Sequence, residues 1–246
     1  MLGVAGKAFL DLDQHIDIAG LKSLEDEIIE GIVRANKKIV FFYGPGCVLE
    51  KEHEGKVKHL GDVYLEIEKR PEEYQKLKKK FPDPDRLREY LGLLNRSVSY
   101  STVVSLREIT SGGYEGTSFA KNCTTTKNAA LFPGLMSFAK KLPLKEIGRL
   151  DIFLSHSNII GHLHSDGIPS VRTRLLHEFI WMRPNLDKKF YVYDKDTCVK
   201  NHVRSHSAFF NSLDQHGSDP TPFTTFSVRV DGVFTDEFKR KINLTS

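Results

Sequence analysis

The sequence has few cysteines and no long hydrophobic run. Its three cysteines, Cys47, Cys123 and Cys198, are widely spaced and form no C-x-x-C pair. This argues against a disulfide scaffold or a thiolate zinc site, and it suits a reducing, cytoplasmic environment. The longest apolar runs, such as 39–43 and 179–182, are far too short to cross a bilayer. The N-terminus also lacks a basic segment followed by an apolar core, so we expect neither a secretory signal nor membrane association.

Charge of one sign is not in excess either. The chain carries 36 Lys and Arg against 32 Asp and Glu, for a net charge of +4. Proteins that bind nucleic acid usually concentrate positive charge more strongly on one face. The densest basic run, 78–80, lies among acidic residues and is interpreted as a solvated helix face. We therefore expect no nucleic-acid partner.

Three common catalytic motifs are missing as well. No G-x-G-x-x-G follows a strand-like segment, no complete phosphate-binding P-loop is present, and no G-x-S-x-G occurs. These absences argue against the dinucleotide-binding, P-loop and serine-hydrolase classes.

Length and composition are those of an ordinary globular protein. The 246 residues are enough for one well-cored domain, and 39% of them are hydrophobic while 28% are charged. No internal repeat or low-complexity linker divides the chain. We predict one domain over 1–246, with a mixed helix and strand N-terminal elaboration over 1–96 and a β-rich catalytic core over 97–246.

The N-terminal part alternates between helical and extended patterns. Ser23 precedes an acidic run and a periodic apolar set, which predicts an amphipathic helix with Ser23 as its N-cap. A short strand is predicted over 37–43, where the apolar run stops at a Gly-Pro-Gly turn. Helices are predicted over 71–80 and 85–94, separated by prolines.

From about residue 97 the pattern becomes that of a β protein. A strand is predicted over 97–109, followed by a helix over 127–141 that Pro133 and Gly134 weaken. Further strands are predicted over 149–155, 171–181, 189–193 and 224–230. Short strands joined by turns, without long helices between them, indicate an antiparallel sandwich or barrel. The predicted fold class is therefore α+β with a mainly β core.

Histidines are concentrated in this strand-rich half, where seven of the ten lie between residues 156 and 216. His164 and Asp166 are two residues apart, so in an extended strand their side chains project from one face, roughly 7 Å apart. Such a pair can share one metal ion, and an imidazole with a carboxylate suits Fe(II), Mn(II) or Zn(II). A third ligand from a distant strand would complete the set and leave positions open for substrate and water.

A later segment supplies candidates for that distant ligand and for an anion site. His216 precedes a turn-rich loop, after which residues 224–230 alternate between apolar and polar side chains. Thr225, Ser227 and Arg229 share one face of this predicted strand. An arginine on the inner face of a small barrel is costly unless it is paired with an anion. The planar guanidinium matches a carboxylate in bidentate fashion.

The order of these residues resembles the Fe(II)/2-oxoglutarate-dependent dioxygenase superfamily, in its prolyl- and aspartyl-hydroxylase-like branch. An H-x-D pair is followed about fifty residues later by a histidine, and about a dozen residues after that by an arginine. The resemblance covers roughly 142–238. It implies a double-stranded β-helix (jelly-roll) core with a helical N-terminal elaboration. It also implies that His164, Asp166 and His216 bind Fe(II).

The same resemblance implies a co-substrate site and a reaction. Arg229 is expected to pair with the far carboxylate of 2-oxoglutarate, with Ser227 or Thr225 as a hydroxyl partner. The implied reaction is hydroxylation of an unactivated C–H bond with O2, coupled to conversion of 2-oxoglutarate to succinate and CO2, with ascorbate as a reductant. The expected substrate is a small polar metabolite such as an amino acid, or a peptide or protein side chain. Having Asp166, rather than glycine or alanine, argues against the halogenating subgroup.

Several alternatives stay open at this point. His206 competes with His216 as the distal ligand. His162 competes with His164, although no carboxylate follows it at the same spacing. His202 and His206 have the spacing of a helical zinc pair but lack the glutamate of H-E-x-x-H. The same triad would also suit a cupin-like hydrolase or isomerase that does not use 2-oxoglutarate, and the scaffold would also suit a non-catalytic binding module.

Overall fold

The computed structural model of the chain describes residues 1–35, 41–43, 57–59, 101–109, 123–155, 161–166, 177–221 and 225–244. The two helices predicted over 71–80 and 85–94 lie outside the described residues.

Four α-helices and two 3-10 segments occur within the described ranges. The helices are α1 (Ile18–Lys22), α2 (Glu25–Ala35), α3 (Pro133–Ala139) and α4 (Asp236–Lys241), and the 3-10 segments are Asp13–His15 and Lys127–Leu131. Over the same ranges, no helix is both long enough and apolar enough to span a membrane.

The helix predicted after Ser23 is present as α2, but Ser23 is not its N-cap. Ser23 instead ends α1, because its hydroxyl donates a hydrogen bond of 2.7 Å to the Gly20 carbonyl oxygen. The carboxylate of Asp17 caps the start of α1 by accepting from the Gly20 amide at 2.9 Å. The helix α2 begins at Glu25, and its acidic first turn favours the positive end of the helix dipole.

The helix predicted over 127–141 is split in two at Phe132. A residue that precedes proline is disfavoured in the α region, and Phe132 accordingly has φ −134° and ψ 53°. Pro133 then starts α3, where its missing N–H costs no hydrogen bond. The carboxylate of Glu27 in α2 accepts from the amides of Gly134 and Leu135 at 2.8 and 2.9 Å. This cross-helix cap ties α2 to α3.

The strands of the described residues form two sheets. The larger sheet contains β1 (Phe9–Asp11), β2 (Phe41–Tyr43), β3 (Val57–His59), β4 (Ser101–Ile109), β5 (Cys123–Thr125), β6 (Leu144–Ser155), β8 (Phe179–Met182), β11 (Ser207–Phe210) and β13 (Thr225–Phe234). The smaller sheet contains β7 (Gly161–His164), β9 (Lys189–Asp194), β10 (Val199–His202) and β12 (Gln215–Asp219). The strand order is β1-β11-β8-β13-β6-β4-β2-β3 in the larger sheet, with β5 beside β4, and β10-β9-β12-β7 in the smaller sheet. Among the described strands, β2 and β3 alone pair in parallel.

Aromatic side chains join the two sheets. Phe190 of β9 stacks on Trp181 of β8 with ring centroids 4.6 Å apart, and it lies 5.2 Å from the ring of Phe210 in β11. Apolar side chains from both sheets and from the helices belong to one main core cluster. The predicted mainly β, jelly-roll core with a helical N-terminal elaboration is therefore confirmed. The single-domain organisation stays a prediction.

The N-terminal elaboration contributes to the larger sheet itself. Strand β1 pairs with β11 at one edge of the sheet, while β2 and β3 extend the other edge beyond β4. Next to β1, the Asp13 carboxylate accepts from the amides of His206 and Ser207 at 3.0 and 2.7 Å. The first residues of the chain are thus built into the β core.

The packing of α2 against Phe132 gives a prediction about stability. A methyl group added at Gly31 would lie 2.3 Å from the Phe132 ring, which is too close for any real contact. Gly31→Ala gains up to about 1 kcal/mol of helix propensity but overpacks the site at a cost of about 1–3 kcal/mol. We expect a net loss of stability, measured by urea unfolding. Ile29→Ala on the exposed side of the same helix is the control, and a Gly31→Ala protein at least as stable as wild type would contradict the packing.

Candidate metal centre

Two neighbouring strands of the smaller sheet bring the two candidate histidines together. Strands β7 and β12 pair in antiparallel fashion, and the Cα atoms of His164 and His216 are opposite each other in the register. Their ring centroids are 4.4 Å apart. Residues that lie opposite on one face of a sheet are the closest pairs available to side chains from distant parts of a chain.

Asp166 lies just beyond the end of β7. Its amide donates a hydrogen bond of 2.7 Å to the Ser212 carbonyl oxygen, which holds the loop after β7 against the segment before β12. The carboxylate oxygen Oδ1 lies 3.3 Å from His164 Nε2 and 3.7 Å from His216 Nε2. The three ligand atoms all lie within 4.8 Å of one another. These three side chains are therefore close enough together to bind one metal ion.

The surroundings of His216 fix the form in which it could act as a ligand. Its Nδ1 lies 2.9 Å from the Asp214 carbonyl oxygen, which can only accept, so Nδ1 carries the proton and Nε2 keeps its lone pair. Burial lowers the pKa of His216 to about 3, and the neighbouring His164 adds to this effect. At neutral pH the ring is uncharged, with its free nitrogen facing Asp166 and His164.

Asp166 stays ionised in this setting. Burial acts to raise its pKa, but Arg229 and the two histidines together hold the pKa of this carboxyl well below its usual range. Arg229 Nη1 donates to Oδ2 of Asp166, whereas Oδ1 faces the histidines. One ionised oxygen and two imidazoles are a donor set that suits Fe(II), Mn(II) or Zn(II).

Arg229 is already balanced by acidic residues. Besides its contact with Asp166, its Nε donates a hydrogen bond of 2.7 Å to Asp231, and its guanidinium lies 3.9 Å from the centroid of the Phe179 ring. Asp231 also accepts from Arg149 Nε at 2.8 Å. Arg229 and Asp231 are both buried, with 5% and 1% of their surface exposed to solvent. The paired charges make burial of this network tolerable.

A cavity opens beside the three candidate ligands. It has about 620 Å³ of empty space, part of which is open solvent, and its wall includes the triad, Arg229, Trp181, Phe190 and Phe210. Two further polar residues, Lys188 and Ser227, also line it. The sequence pointed to Ser227 but not to Lys188. Lys188, just before β9, donates from Nζ to the Ser227 hydroxyl at 3.1 Å and to the Phe153 carbonyl oxygen at 3.4 Å.

The competing histidines that the structure describes lie away from the triad. His206 Nδ1 lies 3.1 Å from the Arg183 carbonyl oxygen, at the start of β11. His202 ends β10 and pairs with Asp219 at 2.7 Å, so the H-x-x-x-H spacing does not lie on a helix. The side chain of His162 lies outside the described part of the chain. Among the described histidines, it is His216 that joins His164 and Asp166 in one potential ligand group.

Comparison with known proteins yields matches to solved structures only. No protein-family model and no curated protein matches the chain. An oxidoreductase of the 2OG-Fe(II) oxygenase family from Burkholderia pseudomallei is 11% identical with a TM-score of 0.36, and the match covers 62% of this chain and 83% of that one. A prolyl-4-hydroxylase from Pseudomonas putida is 13% identical with a TM-score of 0.32, covering 65% and 88%. A prolyl hydroxylase from Trichoplax adhaerens, solved with a hypoxia inducible factor oxygen degradation domain peptide fragment, is 11% identical with a TM-score of 0.43, covering 97% and 87%.

At these identities and TM-scores, likeness carries no argument about what the protein does. The functional inference therefore rests on the residues of the site.

Proposed function

We propose that the protein is a 2-oxoglutarate- and Fe(II)-dependent dioxygenase that hydroxylates an unactivated C–H bond. The observation that carries the proposal is the convergence of His164, Asp166 and His216, whose ligand atoms lie within 4.8 Å of one another. Two imidazoles and one carboxylate on one side of an ion, with the other positions open, are the arrangement of non-haem Fe(II) oxygenases. The adjoining cavity offers those open positions to a co-substrate and a substrate.

Each residue has a distinct task in this proposal. Fe(II) held at the site supplies the O2 chemistry, with 2-oxoglutarate as the source of two electrons. His164 and His216 offer nitrogen donors, and the carbonyl oxygen of Asp214 keeps the His216 ring in the required tautomer. Arg229 holds the second oxygen of Asp166, which leaves the first one facing the histidines. The resemblance described above also offers Arg229, with Ser227, as the partner of the co-substrate's far carboxylate.

The substrate class follows the same proposal. We infer a small polar metabolite such as an amino acid, or a peptide or protein side chain, as the molecule that is hydroxylated. Ascorbate would serve as a reductant that keeps the metal in the ferrous state.

Succinate formation tests the proposal. Purified protein with Fe(II), ascorbate, O2 and 2-oxoglutarate is expected to produce succinate slowly even without its substrate, because decarboxylation can run uncoupled. Asp166→Ala should lower this rate by at least about 100-fold. Loss of a residue that only hydrogen-bonds to a metal ligand already lowers metal affinity or activity by about 10–100-fold, and Asp166 is a proposed ligand itself.

The control for this assay is Asp219→Ala, which removes a carboxylate that pairs with Lys200 and His202 at the far end of β12. If the wild-type protein binds Fe(II) but forms no succinate, the dioxygenase proposal fails, and the cupin-like hydrolase or isomerase takes its place. If it binds no divalent metal at all, the binding-module interpretation is favoured.

A further inference from the structure

Lys188 is a buried lysine with no acidic partner among the residues that the structure describes. The residue is only 6% exposed, and its ammonium group contacts the Ser227 hydroxyl and the Phe153 carbonyl oxygen. Among the described residues, no carboxylate pairs with it, and the charged group that acts on it is another cation, Arg183. Burial lowers the pKa of Lys188 to about 7, with Arg183 adding to the effect. A buried ammonium of this kind is costly unless an anion arrives to pair with it.

The cavity wall brings this ammonium to the same space as the candidate metal ligands. Lys188 and Ser227 line the cavity together with His164, Asp166 and His216. An ammonium group has three N–H donors. Two are used in the contacts above, which leaves one for a ligand in the cavity. The Ser227 hydroxyl accepts from Lys188, so its own proton is available to the same ligand.

Arg229 is in a different situation. Its charge is met by Asp166 and Asp231 within the protein, and one of these acids is itself a candidate metal ligand. Arg229 also contacts Asp166 directly, which is one of the three candidate metal ligands. Ser227 lies two residues away on the same strand, about 7 Å along it. The ammonium of Lys188 therefore meets β13 at Ser227, two residues away from the arginine that contacts Asp166.

We propose that Lys188, together with the hydroxyl of Ser227, binds the far carboxylate of the 2-oxo dicarboxylate, and that Arg229 instead orients Asp166. This inference rests on the proposed function, because it assumes that the near end of the same molecule binds a metal at the triad. It assigns the selectivity for a dicarboxylic over a monocarboxylic 2-oxo acid to a residue before β9, and not to the arginine of β13.

The experiment measures binding rather than turnover. The Mn(II)-loaded protein is titrated calorimetrically, without O2 chemistry, with 2-oxoglutarate and with 2-oxopentanoate, which has the same carbon chain but no far carboxylate. Wild-type protein is expected to prefer 2-oxoglutarate by about 10- to 100-fold, the range for hydrogen bonds to a charged group. Lys188→Met should abolish this preference while leaving the affinity for 2-oxopentanoate and Mn(II) unchanged.

The matched control is the neighbouring, exposed Lys189, whose replacement in Lys189→Met should leave the preference intact. Ser227→Ala is a second, smaller change that keeps the ammonium in place, and it should reduce the preference without abolishing it. Arg229→Gln should weaken Mn(II) binding and the binding of both 2-oxo acids alike, and so keep their ratio.

Three results would overturn the inference. If Lys188→Met keeps the wild-type preference, or if Arg229→Gln alone abolishes it, the carboxylate does not bind at Lys188, although the dioxygenase proposal still stands. If the Mn(II)-loaded wild-type protein binds neither 2-oxo acid, both proposals fall together.

Discussion

Replacing His216 by alanine is expected to lower the affinity for Fe(II) or Mn(II) by more than about 100-fold, because removal of an outer-shell partner alone typically costs 10–100-fold. The side chain supplies a neutral nitrogen whose direction is fixed by the hydrogen bond of Nδ1 to the Asp214 carbonyl oxygen. His164 and Asp166 alone are two ligands within one short segment, which seldom retain a divalent ion. Calorimetric titration of the metal-free protein with Mn(II) measures the change, and succinate formation should fall with it.

The matched control is His206→Ala, which removes the histidine that competes for the same role on sequence grounds. Its ring lies against the Arg183 carbonyl oxygen and not beside the triad. It should retain wild-type metal affinity. Circular dichroism of both variants checks that the fold is intact. A His216→Ala protein that binds Mn(II) as tightly as wild type, or a His206→Ala protein that loses the metal, would exclude the triad.

The parts of this site that could be predicted were those encoded locally. Strand alternation places His164 and Asp166 at positions two apart, and a carboxylate beside a histidine already indicates a metal. The partnership of His164 with His216 depends on the register of β12 against β7, where both Cα atoms are opposite each other. Register is set by a pairing between distant segments, so no local pattern reveals it. Only the order of residues shared with a known superfamily pointed to His216.

Residues whose role depends on tertiary burial could not be predicted. Lys188 stands between Asp187 and Lys189 in a polar turn, and its local sequence is that of an exposed residue. It is buried because the segment just before β9 lies against β13, where Lys188 contacts Ser227. Arg229 was expected to pair with the far carboxylate of 2-oxoglutarate. In the structure Asp231, two residues along the same strand, accepts from its Nε at 2.7 Å. Whether a buried charge is already paired is thus a property of the folded chain.

The N-terminal third shows a similar limit. The amphipathic pattern predicted α2 correctly, since its buried Ile28 and Ile32 follow helical periodicity. The pattern could not show that Ser23 belongs to the preceding short helix, because a serine hydroxyl can accept from a following amide or donate to a preceding carbonyl. Nor could it show that β1 completes an edge of the larger sheet, which again is a non-local pairing.

The second large effect concerns stability and its dependence on pH. Lys188→Met is expected to make the metal-free protein more stable than wild type at pH 7, by on the order of 4 kcal/mol. The pKa of Lys188 falls from 10.5 to about 7 on folding because the ammonium is buried. Between these values the unfolded chain holds a proton that the folded protein lacks, so wild-type stability rises with pH across this window. Below about pH 7 the full cost of the buried charge is present.

Urea unfolding of the metal-free proteins at pH 7, 8.5 and 10 measures this linkage. The stability difference between Lys188→Met and wild type should be largest at pH 7 and shrink toward pH 10, whereas Lys189→Met should track wild type at every pH. The described groups that face the ammonium are the Ser227 hydroxyl of β13, the Phe153 carbonyl oxygen of β6 and the cation Arg183. Burial lowers the pKa of Arg183 to about 10, so this group titrates only at the upper end of the window and with the same sign as Lys188. Mn(II) with 2-oxoglutarate should then stabilise wild type more than Lys188→Met, because only the wild-type ammonium gains a partner. The opposite result is a Lys188→Met protein that is less stable than wild type at pH 7, with a stability difference that stays constant up to pH 10. It would show that Lys188 is a structural residue whose hydrogen bonds are satisfied within the protein, and not a binding group for an anionic ligand.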